Sequence, residues 1–237
     1  AFANGDDGQI RAGVSQMVPK KVYDYICTNR LYGAENHMKS QEEIITKLSA
    51  LLSPHRFRHV LGVANLAAGI AMANGRKDID TFLYAGLLHD CAKYMKYDEM
   101  VAYAKEHDLD VRPYLGNMSF QLHAVIGEYL ARTEYGVDDV DILNAIRYHT
   151  VGHLNMSILE KCIFLADYLE PSRDFPAEPT LSEMRQMAFF DVDKALYYVM
   201  KNKLAHIKSC GNALDTTTEQ VFEECRKRLL CRGEYCE

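Results

Sequence analysis

The apolar run TFLYAGLLHDCAKY carries two adjacent ionisable residues, His89 and Asp90, and a second apolar run, IFLADYL, is interrupted by Asp167. Carboxylates are rarely buried without a partner, because an unpaired charge in an apolar interior is strongly unfavourable. A chain that packs both runs into a core must therefore deliver positive charge to each aspartate. A metal cation held together with histidines supplies it, and a metal-dependent hydrolase is the leading expectation.

Candidate partners lie elsewhere in the chain. His59 stands in SPHRFRHVLGVANLAAGIAMANG, His123 in SFQLHAVIGEYLART and His149 in ILNAIRYHTVGH, each on or beside an amphipathic helical pattern. Imidazole and carboxylate donors without a plausible thiolate suit iron, manganese or, less specifically, zinc, and argue against a structural cysteine-zinc module. One aspartate beside a histidine can serve a single ion or bridge two, and the spacing leaves both open. His37, His55, His107 and His206 read as solvated or hydrogen-bonded structural residues, and so does His153 despite its closeness to His149.

The periodicity is helical almost throughout. Ser53-Pro54 makes a helix start, with a cap residue before a first-turn proline, and Gly75 makes a stop. Between them Val60, Val63, Ala64, Ala67, Ile70 and Ala71 recur at helical spacing, which puts His59 at the edge of an apolar stripe. Asp78 or Asp80 is expected to cap the helix carrying His89 and Asp90. Asp138 or Asp139 opens the helix ending near His149, and Ser157 with Glu160 forms a capping box for the helix that reaches Asp167 and stops before Pro171. No segment alternates with period two. The expected fold is an all-α bundle of six or more helices, an architecture that builds metal sites from side chains on facing helices.

At 237 residues the chain can hold one substantial core, with or without an appendage. No apolar run is long enough to span a bilayer, and the first residues lack the basic-then-apolar layout of an export signal, so a cytoplasmic protein with no membrane partner is expected. A formal net charge of −6 gives no global attraction to nucleic acid, and anion binding must be local. Seven cysteines without CxxC spacing make a disulfide framework an unlikely design; Cys91 reads as apolar filler, and the three in ECRKRLLCRGEYCE as part of a frayed helix and tail. A GxxxxGK[ST] phosphate loop is absent, so ATP-driven work is not indicated.

The order R-x-x-H (Arg56 to His59), LLHDCAK, NAIRYHTVG and NMSILEKCIFLADYLEPSRDF resembles the HD superfamily of metal-dependent phosphohydrolases, and within it the bacterial YqeK branch of symmetrical diadenosine tetraphosphatases. The likeness runs from about 53 to about 219, and LADYLEPSRDF is its most specific block. It departs in NALDTTT, 212–218, where the branch more often has a basic residue, an isoleucine, a histidine and a proline. The resemblance implies that one or two divalent ions, iron or alternatively manganese, are used, with His59, His89, Asp90 and Asp167 holding the primary ion. His123 and His149 would complete a second ion's shell or bond substrate phosphates. A divalent ion acidifies bound water to about neutral pKa, so hydroxide is at hand at cellular pH. Asp90 and Lys93 would then be catalytic, Lys93 neutralising developing phosphate charge. Arg56 and Arg173 would grip phosphates, since a guanidinium fork suits their oxygens; Arg147 is a weaker candidate. The implied reaction is symmetrical cleavage of diadenosine tetraphosphate to two ADP.

The segment QIRAGVSQMVPKKVYDYICTNRLYG reads as a turn and a helix ending at Gly33. It resembles the C-terminal end of bacterial nicotinate-nucleotide adenylyltransferases, with GDDG in place of that family's serine-rich stretch. Residues 1–40 are accordingly expected to be the end of a fused adenylyltransferase domain plus linker, and 41–237 the HD domain. A homodimer is compatible with the amount of apolar helix surface. Three competing functions remain: another HD nucleotide phosphatase or phosphodiesterase, a di-iron centre that activates oxygen, and a non-catalytic, metal-stabilised docking module for the adenylyltransferase.

Overall fold

The computed structural model describes residues 22, 38–210 and 216–234. Ten α-helices and no strand occur among the described residues from Gln41 onward: α1 Gln41–Leu51, α2 Pro54–Ala73, α3 Ile79–Leu88, α4 Tyr97–Glu106, α5 Leu122–Glu134, α6 Val140–Tyr148, α7 Ile158–Leu169, α8 Leu181–Phe190, α9 Val192–Ser209 and α10 Thr216–Cys231. The all-α expectation is met. The helix expected up to Gly33, residue His37, and 212–215 of the NALDTTT departure lie outside the described residues.

Local chemistry explains most of the helix ends. Ser53 Oγ accepts from Arg56 N ahead of Pro54, and α2 closes at Asn74 with Gly75 in the left-handed region (φ 77°) that a glycine adopts without strain. Asp139 accepts from Asp141 N and Ile142 N at the start of α6. Ser157 and Glu160 form the reciprocal capping box of α7. The start of α3 differs from expectation. Asp78 occupies the cap position without capping, because Arg76 Nε and Nη2 hold its carboxylate at 2.9 and 2.7 Å, while Asp80 accepts from Gln41 Nε2 at 3.0 Å. The C-terminal helix also differs, for α10 is a packed element whose Val221, Cys225 and Leu229, four apart and on one face, are buried.

One continuous core runs through the bundle. Helix α2 is at its centre and packs against α3, α7 and α8. The α2–α3 approach is very close, since a Cβ added at Gly86 would lie 2.5 Å from Ala64 Cα. That closeness brings the turn after α3, with His89 and Asp90, up to His59 on α2. Cys91 is buried with its thiol pushed up by desolvation, and the five described cysteines are free. Among the described residues no helix is long and apolar enough to cross a membrane.

Candidate metal centre

Two of the histidines sit at helix C-termini. Helix α3 stops at Leu88, and the chain turns back on itself with Cys91 N donating to Leu88 O (3.1 Å) and Lys93 N to Asp90 O (2.9 Å). The last carbonyls of a helix have no intrahelical partner. Here the ring uses one of them, as His89 Nδ1–H donates to Gly86 O at 2.7 Å, and His149 after α6 repeats the device on Ile146 O at the same distance. His59 Nδ1–H donates to Glu170 Oε1 at 3.1 Å. Each such bond fixes the tautomer and leaves the Nε2 lone pair free for a ligand.

The free nitrogens converge. His59 Nε2 is 3.3 Å from His89 Nε2 and 3.1 Å from Asp167 Oδ1, and His89 Nε2 is 3.9 Å from that same oxygen. His123 Nε2 is 3.1 Å from His149 Nε2. Asp90 lies between the two groups. Its Oδ2 is 3.5 Å from His89 Nε2 and 3.8 Å from His59 Nε2, whereas Oδ1 is 3.2 Å from His123 Nε2 and 3.6 Å from His149 Nε2. All six residues expected as ligands are thus brought together.

A divalent cation fits this donor set. Asp90 is buried, and its Oδ1 accepts no hydrogen bond although imidazole nitrogens surround it. A buried, ionised oxygen facing lone pairs needs positive charge of another kind. Two overlapping groups, His59–His89–Asp167 and His89–Asp90–His149, each have ligand atoms within 4.8 Å of one another. Burial lowers His89 and His123 to about 4, so both rings are neutral ligands at physiological pH. Burial opposes ionisation of Asp90 and Asp167, yet both carboxyls are held below the usual range.

The basic residues divide into two kinds. Arg56 Nη1 donates to Asp90 Oδ2 at 2.7 Å; Arg173 donates from Nε to Asp167 O at 2.9 Å and from Nη2 to Asp167 Oδ1 at 2.8 Å. Both arginines therefore hold a carboxylate of the centre. Lys93 and Lys203 line the same cavity, of about 300 Å³, and neither is paired with a carboxylate among the described residues. Lys203 donates to Thr150 O and lies 4.6 Å from the Phe164 ring centroid. Desolvation lowers Lys93 and brings Lys203 down to about 8. Thr150 Oγ1, on the same wall, is buried without a hydrogen-bond partner. Arg147 is turned away, tied to Glu128 Oε2 at 2.5 Å and Tyr114 OH at 3.2 Å. His153 is held by Glu160, and His107 by the Tyr129 hydroxyl at 3.1 Å.

Three residues of the site escaped the sequence reading: Glu170, Lys203 and Thr150, the last on the cavity wall. Glu170 is buried behind His59, and the ring-facing oxygen also accepts from Ser172 Oγ. A Cβ at Gly62 would lie 2.7 Å from Glu170 Oε2, so the glycine keeps the space that the carboxylate fills. Lys203 falls on the apolar stripe of α9 with Leu196, Val199 and Met200, and a lysine at that spacing was the available signal.

Comparison with known proteins gives a consistent result. The HD domain family model matches residues 56–172. The chain is 39% identical over 173 residues to the symmetrical bis(5'-nucleosyl)-tetraphosphatase of Bacillus subtilis, covering 71% of this chain and 88% of that one. It is 35% identical over 159 residues to a probable nicotinate-nucleotide adenylyltransferase/Ap4A hydrolase of Mycoplasma genitalium, covering 67% of this chain and 41% of the longer relative. Among solved structures, a "predicted HD superfamily hydrolase involved in NAD metabolism" from Clostridium acetobutylicum superimposes with a TM-score of 0.72 at 32% identity, covering 81% of this chain and all of that one.

Proposed function

This chain belongs to the HD-domain family that includes the symmetrical bis(5'-nucleosyl)-tetraphosphatases, and we propose that it hydrolyses diadenosine tetraphosphate at the centre of the phosphate bridge, releasing two ADP. The carrying observation is the charge arrangement of the cavity. Arg56 and Arg173 are neutralised by Asp90 and Asp167, and the unpaired charge facing the cavity is that of Lys93 and Lys203 beside a cluster built for cations. A polyanion such as a tetraphosphate is the complementary ligand.

Within that reading, His59, His89, Asp90 and Asp167 would hold one divalent ion, and His123 and His149, with Asp90, would hold a second. Asp90 turns one carboxylate oxygen to each histidine pair, which supports its serving both groups of ligands. The all-nitrogen-and-oxygen donor set supports iron, with manganese as a substitute. When bound, such ions supply Lewis acidity at phosphoryl oxygens and a strong nucleophile at neutral pH. Arg56 and Arg173 orient the two aspartates, and Glu170 orients His59. Lys93 stabilises the negative charge that grows on the departing ADP, while Lys203 and Thr150 Oγ1 hold the phosphates that stay. We further propose that residues 1–40 are the end of an adenylyltransferase domain plus a linker; the Mycoplasma genitalium relative, a probable nicotinate-nucleotide adenylyltransferase/Ap4A hydrolase, supports this.

The test is incubation of the full chain with iron(II) or manganese(II) and diadenosine tetraphosphate, with products separated by chromatography. ADP alone is expected. ATP with AMP would overturn symmetrical cleavage, and no turnover with either ion would overturn the substrate assignment.

A further inference from the structure

A second cavity, of about 610 Å³, opens beside the metal centre between the C-terminal end of α7, the 170–176 segment and α9. Small-molecule sites commonly fall in roughly this range, 300–1,000 Å³. It shares Asp167, Arg173 and Lys203 with the smaller, polar cavity over the metal cluster, so the two are continuous across those residues. Beyond that threshold the wall changes character to Tyr168, Phe175 and Pro176, with His206 at the rim. The Tyr168 and Phe175 rings meet edge to face, with centroids 5.0 Å apart and planes at 81°.

We infer that this cleft seats the nucleoside of one half of the substrate, with its aromatic base against Phe175 and Tyr168 and its phosphates passing Lys203 towards the metal-ligand cluster. The inference rests on the dinucleoside polyphosphate reading and names where one half of that molecule lies. A nucleotide is apolar and flat at one end and anionic at the other, and the cleft has the matching order: aromatic floor, cationic threshold, metal cluster. The cavity over the metals holds too little space for the whole of a dinucleoside tetraphosphate, so at least one nucleoside must extend beyond it. Phe175 is 36% exposed on the cleft wall, so part of its side chain is within reach of a ligand. Asn202 borders the cleft, but its amide is committed to Glu178 N, Glu178 O and Tyr198 O, each at 2.9 Å. Stacking, rather than reading of the base edge, therefore supplies the grip.

Calorimetric titration of the metal-loaded full chain with ADP and with inorganic diphosphate separates base from phosphate. ADP is expected to bind at least tenfold more tightly than diphosphate. Phe175→Leu, which keeps apolar bulk without a ring, is expected to weaken ADP about tenfold while moving diphosphate less than twofold, and Phe175→Tyr to restore ADP binding. Unchanged ADP affinity in Phe175→Leu, or an equal loss for both ligands, would overturn the inference. Turnover tells the two readings apart. If the wild type leaves diadenosine tetraphosphate intact while ADP binding still depends on the ring, the reaction assignment fails and the nucleoside seat stands. If the substrate is cleaved and Phe175→Leu leaves KM unchanged, the seat fails and the reaction stands.

Discussion

Replacing Gly86 with alanine tests whether the close approach of α2 and α3 sets the spacing of the metal ligands. The new methyl would lie 2.5 Å from Ala64 Cα, 2.9 Å from Ala64 N and 3.0 Å from Ala64 Cβ, two of them backbone atoms that no rotamer change can move. Ordinary apolar contact is near 4 Å, so the helices must separate locally by about 1 Å. Overpacking of this kind costs roughly 1–3 kcal/mol, and the helical preference of alanine over glycine returns about 1. A net loss of about 1 kcal/mol lowers the melting temperature by roughly 2–4 °C in a chain of this size. Because His59 rides on α2 and His89 follows α3, their 3.3 Å nitrogen separation opens with the helices. Good metal sites tolerate only about 0.2 Å in ligand distance, so affinity is expected to fall at least tenfold. Circular-dichroism melts in chelator, paired with a manganese titration, read both effects. Gly69→Ala is the control: it meets only the Phe189 ring, at 3.5 and 3.7 Å, and should leave metal affinity unchanged. A Gly86→Ala protein as stable as wild type and with the same affinity would refute the reasoning.

Asp90→Ala is expected to remove bound metal and turnover together, whereas Lys93→Ala should keep the metal, measured by elemental analysis, and lower kcat by roughly a hundredfold, the scale for losing a transition-state charge partner. Glu170→Gln, which keeps the shape behind His59 but loses the charge, should weaken metal affinity by roughly 10–100-fold in a competition titration with a chelating dye. Lys203→Met is expected to raise stability and impair function at once. With its pKa near 8 against an ordinary value of 10.5, the folded protein binds fewer protons than the unfolded chain between those limits, so the charged lysine is a burden below pH 8 that eases as pH rises towards 10.5. Removing it should add roughly 1–2 kcal/mol to denaturant stability at pH 7, after discounting for partial exposure and the lost bond to Thr150 O. KM should rise tenfold or more, and in wild type the same ionisation should make KM climb above about pH 8. A flat KM from pH 7 to 9 would remove Lys203 from the phosphate site.

The parts of this site that could be read from the chain alone are those whose local context is chemically implausible without a partner. Asp90 and Asp167 in apolar runs demand one, and His59, at the edge of a helical stripe, offers one. Capping at Ser53, Asp139 and Ser157 was legible for a similar reason, because a cap is decided within three residues. Asp78 was misread because its choice lay between a backbone amide and Arg76, and a charged fork at 2.7 and 2.9 Å outcompetes a neutral donor. Glu170 and Lys203 were missed because each is defined by something distant in sequence: the space above Gly62 in one case and the carbonyl of Thr150 in the other.

The arginines carry the more general point. Arg56 and Arg173 have the residue type and position of phosphate grips, yet each is bound to an aspartate of the centre. Two ion pairs of this kind leave no net charge, and the chain as a whole carries −6, so neither can be what draws a polyanion in. Attraction must come from groups whose charge is left over: the metal cations and two desolvated lysines. Those lysines are costly to the fold for the same reason that they are useful, since the charge of a desolvated ammonium with no carboxylate partner is compensated only when an anion arrives, even where, as at Lys203, a backbone carbonyl accepts one of its hydrogens. Stability and substrate affinity are therefore opposed at Lys203, and ADP should stabilise the wild type more than it stabilises Lys203→Met. Equal shifts in melting temperature on adding ADP to the two proteins would show that the charge is satisfied elsewhere.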